Sequence, residues 1–273
     1  MTMLSEQFID IHSHILPGFD DGARTMGEAV EMARIALAAG TGLMFATPHI
    51  ASPGELVTSE QIAERVAELQ SALDSEGISL RVVPGAEVFL SAEILPAIDR
   101  RLPITLGPSR KYVLLDTPRS AMPLGLEQLI FDLQTRGVTP ILAHPERSAQ
   151  IQQDPELLES LVQRGALVQI NGASLMGRHG SKAAEAALIY LRHRWVHFVA
   201  SDAHSVVHRR PSLSSAEVFL GDEFGQDRVI ELFNANAVRV LNGEDVPTNP
   251  AVYAPRNTGN PFQRALRRLR RAA

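Results

Sequence analysis

The sequence contains no cysteine among its 273 residues. Disulfide bonds, thiolate metal sites, iron–sulfur clusters and a cysteine nucleophile are therefore excluded. Long apolar runs are also missing, since no stretch reaches the roughly 18 residues of a membrane-spanning helix. Residues 1–7 carry no basic segment of the kind that opens a secretion signal. We therefore expect a cytoplasmic protein.

Positive charge is scarce outside the C-terminus. The net charge is −5, but the six arginines from Arg256 onward occur without any acidic residue, so the rest of the chain carries −11. A body this acidic argues against nucleic-acid binding, which requires positive charge facing phosphates. With 45% hydrophobic residues, the chain can nevertheless bury a large core.

A polar strand near the start of the chain is the first candidate functional element. Asp10, His12 and His14 alternate with Ile9 and Ile11, so a regular strand would point the three polar side chains to one face. Two histidines at i and i+2 can converge on one metal ion, and Asp10 would be placed to orient one of them. The motif alone is equally typical of ordinary polar residues near a strand end.

Short apolar runs alternate with amphipathic segments along the chain. The predicted strands comprise residues 8–11, 43–46, 80–83, 112–115, 139–143, 166–170 and 196–200. Seven such strand–helix repeats, without internal duplication, predict one parallel, barrel-like α/β domain.

Residues with metal-binding side chains follow six of these seven strands. They lie at the C-terminal strand ends, where α/β barrels build their active sites. The candidates at these ends are His12, His14, His49, Glu87, Asp116, His144, Asp202 and His204. Agreement among six strands is much stronger than one short motif.

Together with Asp21, these candidates supply five imidazoles and four carboxylates. That set is too large for one tetrahedral zinc and suits two or three divalent ions. Four carboxylates against three such ions leave a charge of about +2, which attracts a phosphate dianion. Arg147 is placed to clamp phosphoryl oxygens, together with one of Arg209 and Arg210, of which Arg209 is preferred.

These residues resemble the polymerase and histidinol phosphatase (PHP) family over residues 7–245. The shared motifs are Asp-Ile-His-Ser-His, Asp-Asp-Gly, Thr-Pro-His, Gly-Ala-Glu, Ala-His-Pro-Glu-Arg and Ser-Asp-Ala-His, in that order. Two segments, His12–Ala23 and Asn236–Glu244, more closely resemble the bacterial protein-tyrosine phosphatases of that family. Those enzymes are encoded with capsule and exopolysaccharide synthesis systems and act on an autophosphorylated tyrosine kinase.

The resemblance implies a distorted (β/α)7 TIM-like barrel, the PHP fold, with up to three divalent ions. Manganese is the expected metal, and iron and zinc are alternatives. The implied ligand groups are His12, His14, Glu87 and Asp202; Glu87, Asp116 and His144; and Asp21, His49 and His204. Asp116 departs from the family, which usually has the longer Glu there, and His179 stands where an apolar residue is usual.

The implied function is a metal-dependent protein-tyrosine phosphatase acting on a bacterial tyrosine kinase that regulates capsule or exopolysaccharide synthesis. Two alternatives stay open: a small-molecule phosphatase such as a histidinol-phosphate phosphatase, and a non-catalytic metal-binding scaffold. An amidohydrolase is disfavoured because its bridging lysine should end a middle strand. Lys111 begins the fourth strand and Lys182 begins a helix, and the sequence has no other lysine.

Residues 1–255 are expected to form the barrel, and residues 256–273 a basic tail. In the tail, Phe262, Leu266 and Leu269 form an apolar stripe flanked by arginines. Such a stripe could dock on an anionic membrane or an acidic partner, and a solvated chain end is the alternative. His193 and His197 lie at the entry of the seventh strand, so packing roles are predicted for both.

Overall fold

The computed structural model describes residues 7–50, 59–91 and 93–248. The predicted basic tail, residues 256–273, lies outside these ranges. Within them, no helix has both the length and the apolar character needed to cross a membrane.

The described part of the chain contains nine strands, all paired in parallel. One sheet has the order β1 (Phe8–Ser13), β2 (Thr41–Ala46) and β4 (Arg81–Pro84). The other has the order β3 (His49–Ile50), β5 (Glu87–Phe89), β6 (Tyr112–Asp116), β7 (Thr139–Ala143), β8 (Leu167–Asn171) and β9 (Phe198–Ala200). The predicted parallel α/β class is confirmed, but the pairing gives two sheets and does not by itself close a barrel.

The second and third predicted strands, residues 43–46 and 80–83, are each followed by a further short strand that was not predicted. Thr47 and Pro48 separate β2 from β3, and Gly85 and Ala86 separate β4 from β5. Pro48 has no N–H to donate to a ladder. The predicted strands, as β2 and β4, belong to one sheet, and the added strands β3 and β5 belong to the other.

Eleven α-helices are described between and after the strands. They are α1 (Met26–Ala38), α2 (Ser59–Ser75), α3 (Ile94–Asp99), α4 (Leu126–Thr135), α5 (Ala149–Gln153), α6 (Pro155–Gln163), α7 (Gly172–Leu175), α8 (Ser181–Arg192), α9 (Ser214–Phe224), α10 (Gln226–Ile230) and α11 (Asn236–Asn242). A 3-10 turn covers Pro145–Arg147, and a π-helical segment covers Glu231–Ala235. Thr25 caps α1 because its hydroxyl accepts a hydrogen bond from Glu28 N at 3.2 Å.

Alternate strand residues pack into two hydrophobic clusters. Residues such as Met44 and Val113 pack with the apolar faces of the helices. The opposite strand faces, including Leu43 and Leu114, contribute to a second cluster that draws on both sheets and includes Val240 of α11. The strands are therefore buried on both faces, as expected for a parallel sheet.

Strand β1 contains a bulge that changes which residues share a face. Asp10 is opposite Met44 but Ser13 is opposite Ala46, so β1 has one more residue than β2 over this interval. Ile9 and Ile11 join the cluster that contains Leu43. The predicted strict alternation of Asp10, His12 and His14 on one face is therefore wrong, because the extra residue separates Asp10 from the two histidines.

Candidate metal centre

Four ligand-competent atoms meet at the C-terminal ends of β1 and β9 and at the first residue of β5. His12 Nε2 lies 3.2 Å from both His14 Nε2 and Glu87 Oε2. Asp202 Oδ1 lies 3.5 Å from His12 Nε2 and 3.6 Å from His14 Nε2. Ligands about 2.1 Å from a tetrahedral ion are about 3.4 Å apart. The two imidazoles and Glu87 therefore have the spacing of ligands around a common cation, and Asp202 lies within reach of both imidazoles.

The two carboxylates of this group each carry a buried oxygen without a hydrogen-bond partner. Glu87 Oε2 and Asp202 Oδ1 form no hydrogen bond with any residue of the described ranges. Glu87 is fully buried and Asp202 is 1% exposed. Buried anionic oxygens are costly unless a cation or a donor satisfies them. The donor set and these orphaned oxygens therefore fit a divalent cation.

A second group shares the Glu87 carboxylate. His144 Nε2 lies 2.9 Å from Glu87 Oε1 and 3.6 Å from Asp116 Oδ1. Asp116 also lies within 4.8 Å of ligand atoms of His49 and Glu87. The shorter Asp116 side chain thus reaches the cluster, and Glu87 can offer one oxygen to each of two groups.

The third group lies towards solvent. Asp21 Oδ1 is 3.3 Å from His204 Nε2 and 3.6 Å from His49 Nε2. The Asp21 side chain is 65% exposed, whereas His204 is buried. His14 also has a ligand atom within 4.8 Å of this group.

The structure brings all nine predicted metal ligands into one connected cluster. The grouping inferred from the family resemblance differs from the geometry in two respects. His14 and His49 each lie within reach of two groups, and Asp202 and His144 contact the cluster in pairs without joining a group whose ligand atoms all lie within 4.8 Å of one another. Which ion each residue holds stays a prediction.

Two amide side chains of β8 connect two of the candidate ligands. His12 Nδ1 donates to Gln169 Oε1 at 2.9 Å, and Gln169 Nε2 donates to Asn171 Oδ1 at 2.9 Å. Asn171 Nδ2 then donates to Asp202 Oδ2 at 2.6 Å. This directed chain places a proton of His12 on Nδ1, so Nε2 is the nitrogen that would bind a metal. Gln169 and Asn171 were missed from sequence, although two polar residues at i and i+2 in a buried strand were a usable signal.

Asp20 was also missed, although it belongs to the Asp-Asp-Gly motif. Its Oδ2 accepts a hydrogen bond from His14 Nδ1 at 2.6 Å and from His49 N at 2.9 Å. Gly22 N donates to Asp20 Oδ1 at 2.9 Å. A Cβ at Gly22 would lie 2.0 Å from His14 O, so only glycine allows this close approach. The motif therefore contains an orienting aspartate, a candidate ligand and a required glycine.

Protonation in the cluster follows from these contacts. Burial alone would lower the pKa of His14, but the Asp20 and Glu87 carboxylates raise it to about 10. Burial alone would raise the pKa of Asp20, but its contact with His14 lowers it to about 2. His14 therefore carries a proton in the absence of a cation, and metal binding must displace that proton.

Asp10 contacts backbone rather than an imidazole. Its Oδ1 accepts from His12 N at 3.3 Å and from Ser201 N at 3.0 Å. The prediction that Asp10 orients a ligand ring is therefore wrong. It instead joins β1 to the segment that follows β9, where Ser13 also pairs with Ala203.

The two predicted phosphate clamps lie beside the cluster. Arg147 Nη1 donates to Asp202 Oδ2 at 3.0 Å, and Arg209 Nη2 contacts the same oxygen. Burial alone would raise the pKa of Asp202, but the charges of His12, His144 and Arg209 hold it below its ordinary value. Arg210 is exposed and forms no ion pair with a described residue. Arg209 rather than Arg210 therefore has the geometry predicted for a clamp.

Comparison with known proteins gives consistent matches over nearly the whole described region. The family described as "Capsular polysaccharide synthesis, CpsB/CapC" matches residues 8–242. The tyrosine-protein phosphatase YwqE of Bacillus subtilis is 36% identical over 242 residues, covering 89% of this chain and 94% of that protein. The putative tyrosine-protein phosphatase CapC of Staphylococcus aureus is 31% identical over 245 residues, covering 89% of this chain and 92% of that protein.

A solved structure is also similar. It comes from work on YwqE from Bacillus subtilis and CpsB from Streptococcus pneumoniae, described as unique metal-dependent tyrosine phosphatases. The TM-score is 0.84 at 35% identity, and the match covers 91% of this chain and 100% of that chain.

Proposed function

The chain belongs to the CpsB/CapC family of capsular polysaccharide synthesis, and we propose that it is a metal-dependent protein-tyrosine phosphatase. Its substrate is phosphotyrosine on a bacterial tyrosine kinase that regulates capsular or exopolysaccharide synthesis. Because tyrosine phosphorylation consumes ATP, this substrate implies a cytoplasmic enzyme. The relatives named above supply the activity, and the residues of this chain support it independently.

One observation carries the proposal: a buried cluster of unsatisfied carboxylate oxygens and imidazoles adjoins two guanidiniums. Glu87 Oε2 and Asp202 Oδ1 have no hydrogen-bond partner in the described chain. Arg147 and Arg209 contact the other oxygen of Asp202. A site with cations on one side and guanidiniums on the other suits a phosphoryl dianion.

We propose two to three divalent ions, with manganese expected and iron or zinc as alternatives. The proposed ligand groups are His12, His14, Glu87 and Asp202; Glu87, Asp116 and His144; and Asp21, His49 and His204. Divalent ions held there would lower the pKa of water and neutralise phosphoryl charge. The ion groups adjoin one another through Glu87, whose two oxygens face His12 and His144.

The protein's own part in the reaction is to bind, orient and neutralise. Arg147 and Arg209 each present a planar guanidinium suited to bidentate contact with phosphoryl oxygens. Gln169 and Asp20 hold His12 and His14 in the tautomers that leave Nε2 unprotonated once a cation is bound. The tyrosyl leaving group has a pKa of about 10, so it can depart with little help from a general acid.

We propose that the two sheets form one distorted (β/α)7 barrel within residues 1–255, with residues 256–273 as a separate basic tail. Support comes from the hydrophobic cluster shared by both sheets and from the pairing of Ser13 with Ala203. The tail could dock on an anionic membrane surface or an acidic partner.

The test is metal-dependent phosphate release from a phosphotyrosine peptide and from histidinol phosphate. We expect Mn²⁺-dependent release, with a preference for the peptide, that is lost in the His12→Ala/His14→Ala variant. His193→Ala is the matched control, because that ring stacks on Trp195 with centroids 4.6 Å apart. A preference for histidinol phosphate would make the protein a small-molecule phosphatase. Metal binding without release from either substrate would support the scaffold alternative.

A further inference from the structure

A cavity of about 620 Å³ adjoins the candidate metal centre. Arg147 and Arg209 line it beside Asp202, and Arg178 and Arg210 line it as well. No acidic side chain of the described residues contributes to its lining. Four arginines therefore face one cavity in a chain whose body is strongly acidic.

The four arginines fall into two pairs with different partners. Arg147 and Arg209 both contact Asp202 Oδ2. Arg178 and Arg210 are exposed and form no ion pair or side-chain hydrogen bond with any residue in the described ranges. Arginine side chains that repel one another in a shared cavity favour an anion between them.

His179 also lines the cavity, and its contacts keep it from adding another charge. Ser174 Oγ donates its only proton to Glu146 Oε1 at 2.6 Å. It must therefore accept the hydrogen bond that it forms with His179 Nδ1 at 2.9 Å. Burial and the charge of Arg147 lower the pKa of His179 to about 4. The imidazole is thus neutral near pH 7 and leaves Nε2 as a hydrogen-bond acceptor. The cavity therefore pairs anion-binding arginines with an acceptor suited to a peptide N–H.

We propose that Arg178 and Arg210 form a second anion subsite, which binds an acidic group next to the phosphotyrosine of the substrate polypeptide. This inference rests on the proposed function, because Arg147 and Arg209 would hold the phosphoryl group. The cavity continues along Ile35, Ala38 and Ser214, between α1 and α9. Its volume and this extension exceed what a phosphate alone would fill, so a flanking residue has room to bind.

The experiment compares three peptides that differ only beside the phosphotyrosine, carrying glutamate, glutamine or a second phosphotyrosine. Each is assayed with the metal-loaded wild-type protein and with Arg178→Gln and Arg210→Gln. We expect wild-type kcat/KM to be about 3- to 10-fold higher for the glutamate peptide than for the glutamine peptide, mainly through KM. Each variant should move that ratio towards 1. Arg81→Gln is the matched control, since Arg81 is an exposed arginine at the opposite end of the strands.

The other outcomes separate this inference from the proposed function. The glutamate and glutamine peptides could give equal kcat/KM while the peptide with a second phosphotyrosine gives a higher value. That result would support an anion subsite at Arg178 and Arg210 but identify its ligand as a phosphoryl group. Equal rates for all three peptides, or a ratio unchanged in both variants, would overturn the subsite and leave the phosphatase intact. Absence of release from every peptide would overturn both.

Discussion

Histidines are buried at both ends of the strands, and their partners differ. At the N-terminal end, His197 Nδ1 accepts a hydrogen bond from Val168 N at 3.1 Å. Asn236 Nδ2 donates to His197 O at 2.9 Å, and Arg228 Nη2 donates to Val196 O at 2.6 Å. These side chains bind backbone. At the C-terminal end, the Nε2 atoms of His12 and His14 face carboxylate oxygens and each other.

The comparison shows that the partners of a buried histidine, rather than its burial, indicate its role. Burial and the charge of Arg228 lower the pKa of His197 to about 3, so it packs as a neutral ring. His14 is equally buried, yet its acidic neighbours raise its pKa to about 10. His197 therefore packs without charge, whereas His14 is held as a cation by carboxylates until a metal ion takes the place of its proton.

The largest expected difference between the two ends is in activity. His12→Ala should lower metal-dependent kcat/KM by more than about 100-fold, because it removes a candidate metal ligand. Loss of a residue that only orients a ligand already lowers metal affinity or activity by about 10- to 100-fold. His197→Ala should leave kcat/KM of the folded protein nearly unchanged. It should instead lower the free energy of unfolding by about 1–3 kcal/mol, since Val168 N loses its acceptor. Activity assays and urea unfolding measure the two effects.

The reverse pattern would contradict the comparison. If His197→Ala abolished the activity of folded protein while His12→Ala retained it, the reacting site would lie at the other end of the strands. Circular dichroism of both variants distinguishes loss of activity from loss of folding.

The parallel α/β class and the clustering of candidate ligands followed from sequence because both depend on local patterns repeated along the chain. Apolar runs recur along the chain, and His49, His144 and Asp202 each lie within three residues of the end of such a run. The position of Asp10 did not follow, because the bulge in β1 arises from pairing with β2, a contact distant in sequence. Register of this kind is fixed by tertiary partners and cannot be obtained from alternation alone.

The supporting hydrogen bonds were missed for a related reason. Gln169 contacts His12 across 157 positions of sequence. The polar residues at i and i+2 in a buried strand mark Gln169 and Asn171 as unusual, but the partner of Gln169 depends on the position of β8 relative to β1, which local sequence does not encode. Asp20 was closer to detection, because Asp-Asp-Gly was recognised, but the motif does not say which aspartate faces the metal.

An intermediate effect is expected at Asp20, which supports the metal end without being a candidate ligand. Asp20→Asn should weaken Mn²⁺ affinity by about 10- to 100-fold, because the orienting carboxylate on His14 Nδ1 is lost. Asp99→Asn is the control, since Asp99 pairs with Arg136 on the surface. Mn²⁺ titration by calorimetry measures both variants. Equal affinity in the two would show that Asp20 only holds the loop.

The smallest effect on activity belongs to the N-terminal end, whose contribution appears as a pH dependence of stability. The pKa of His197 is about 3 in the folded protein and about 6.5 in an unfolded chain. Between these values the unfolded state binds more protons, so stability increases with pH. The stabilisation is complete above about pH 6.5 and is lost as the pH falls towards 3, by at most about 1.4 kcal/mol per pH unit.

His197→Gln isolates this contribution, because glutamine can accept from Val168 N but does not titrate. The difference in free energy of unfolding between wild-type and variant, measured in urea at fixed Mn²⁺ between pH 7 and pH 4, should shrink as the pH falls. Parallel curves would mean that His197 is already protonated in the fold or stays neutral in both states. The contrast between a neutral packing histidine and the charged cluster at the other end would then need another cause.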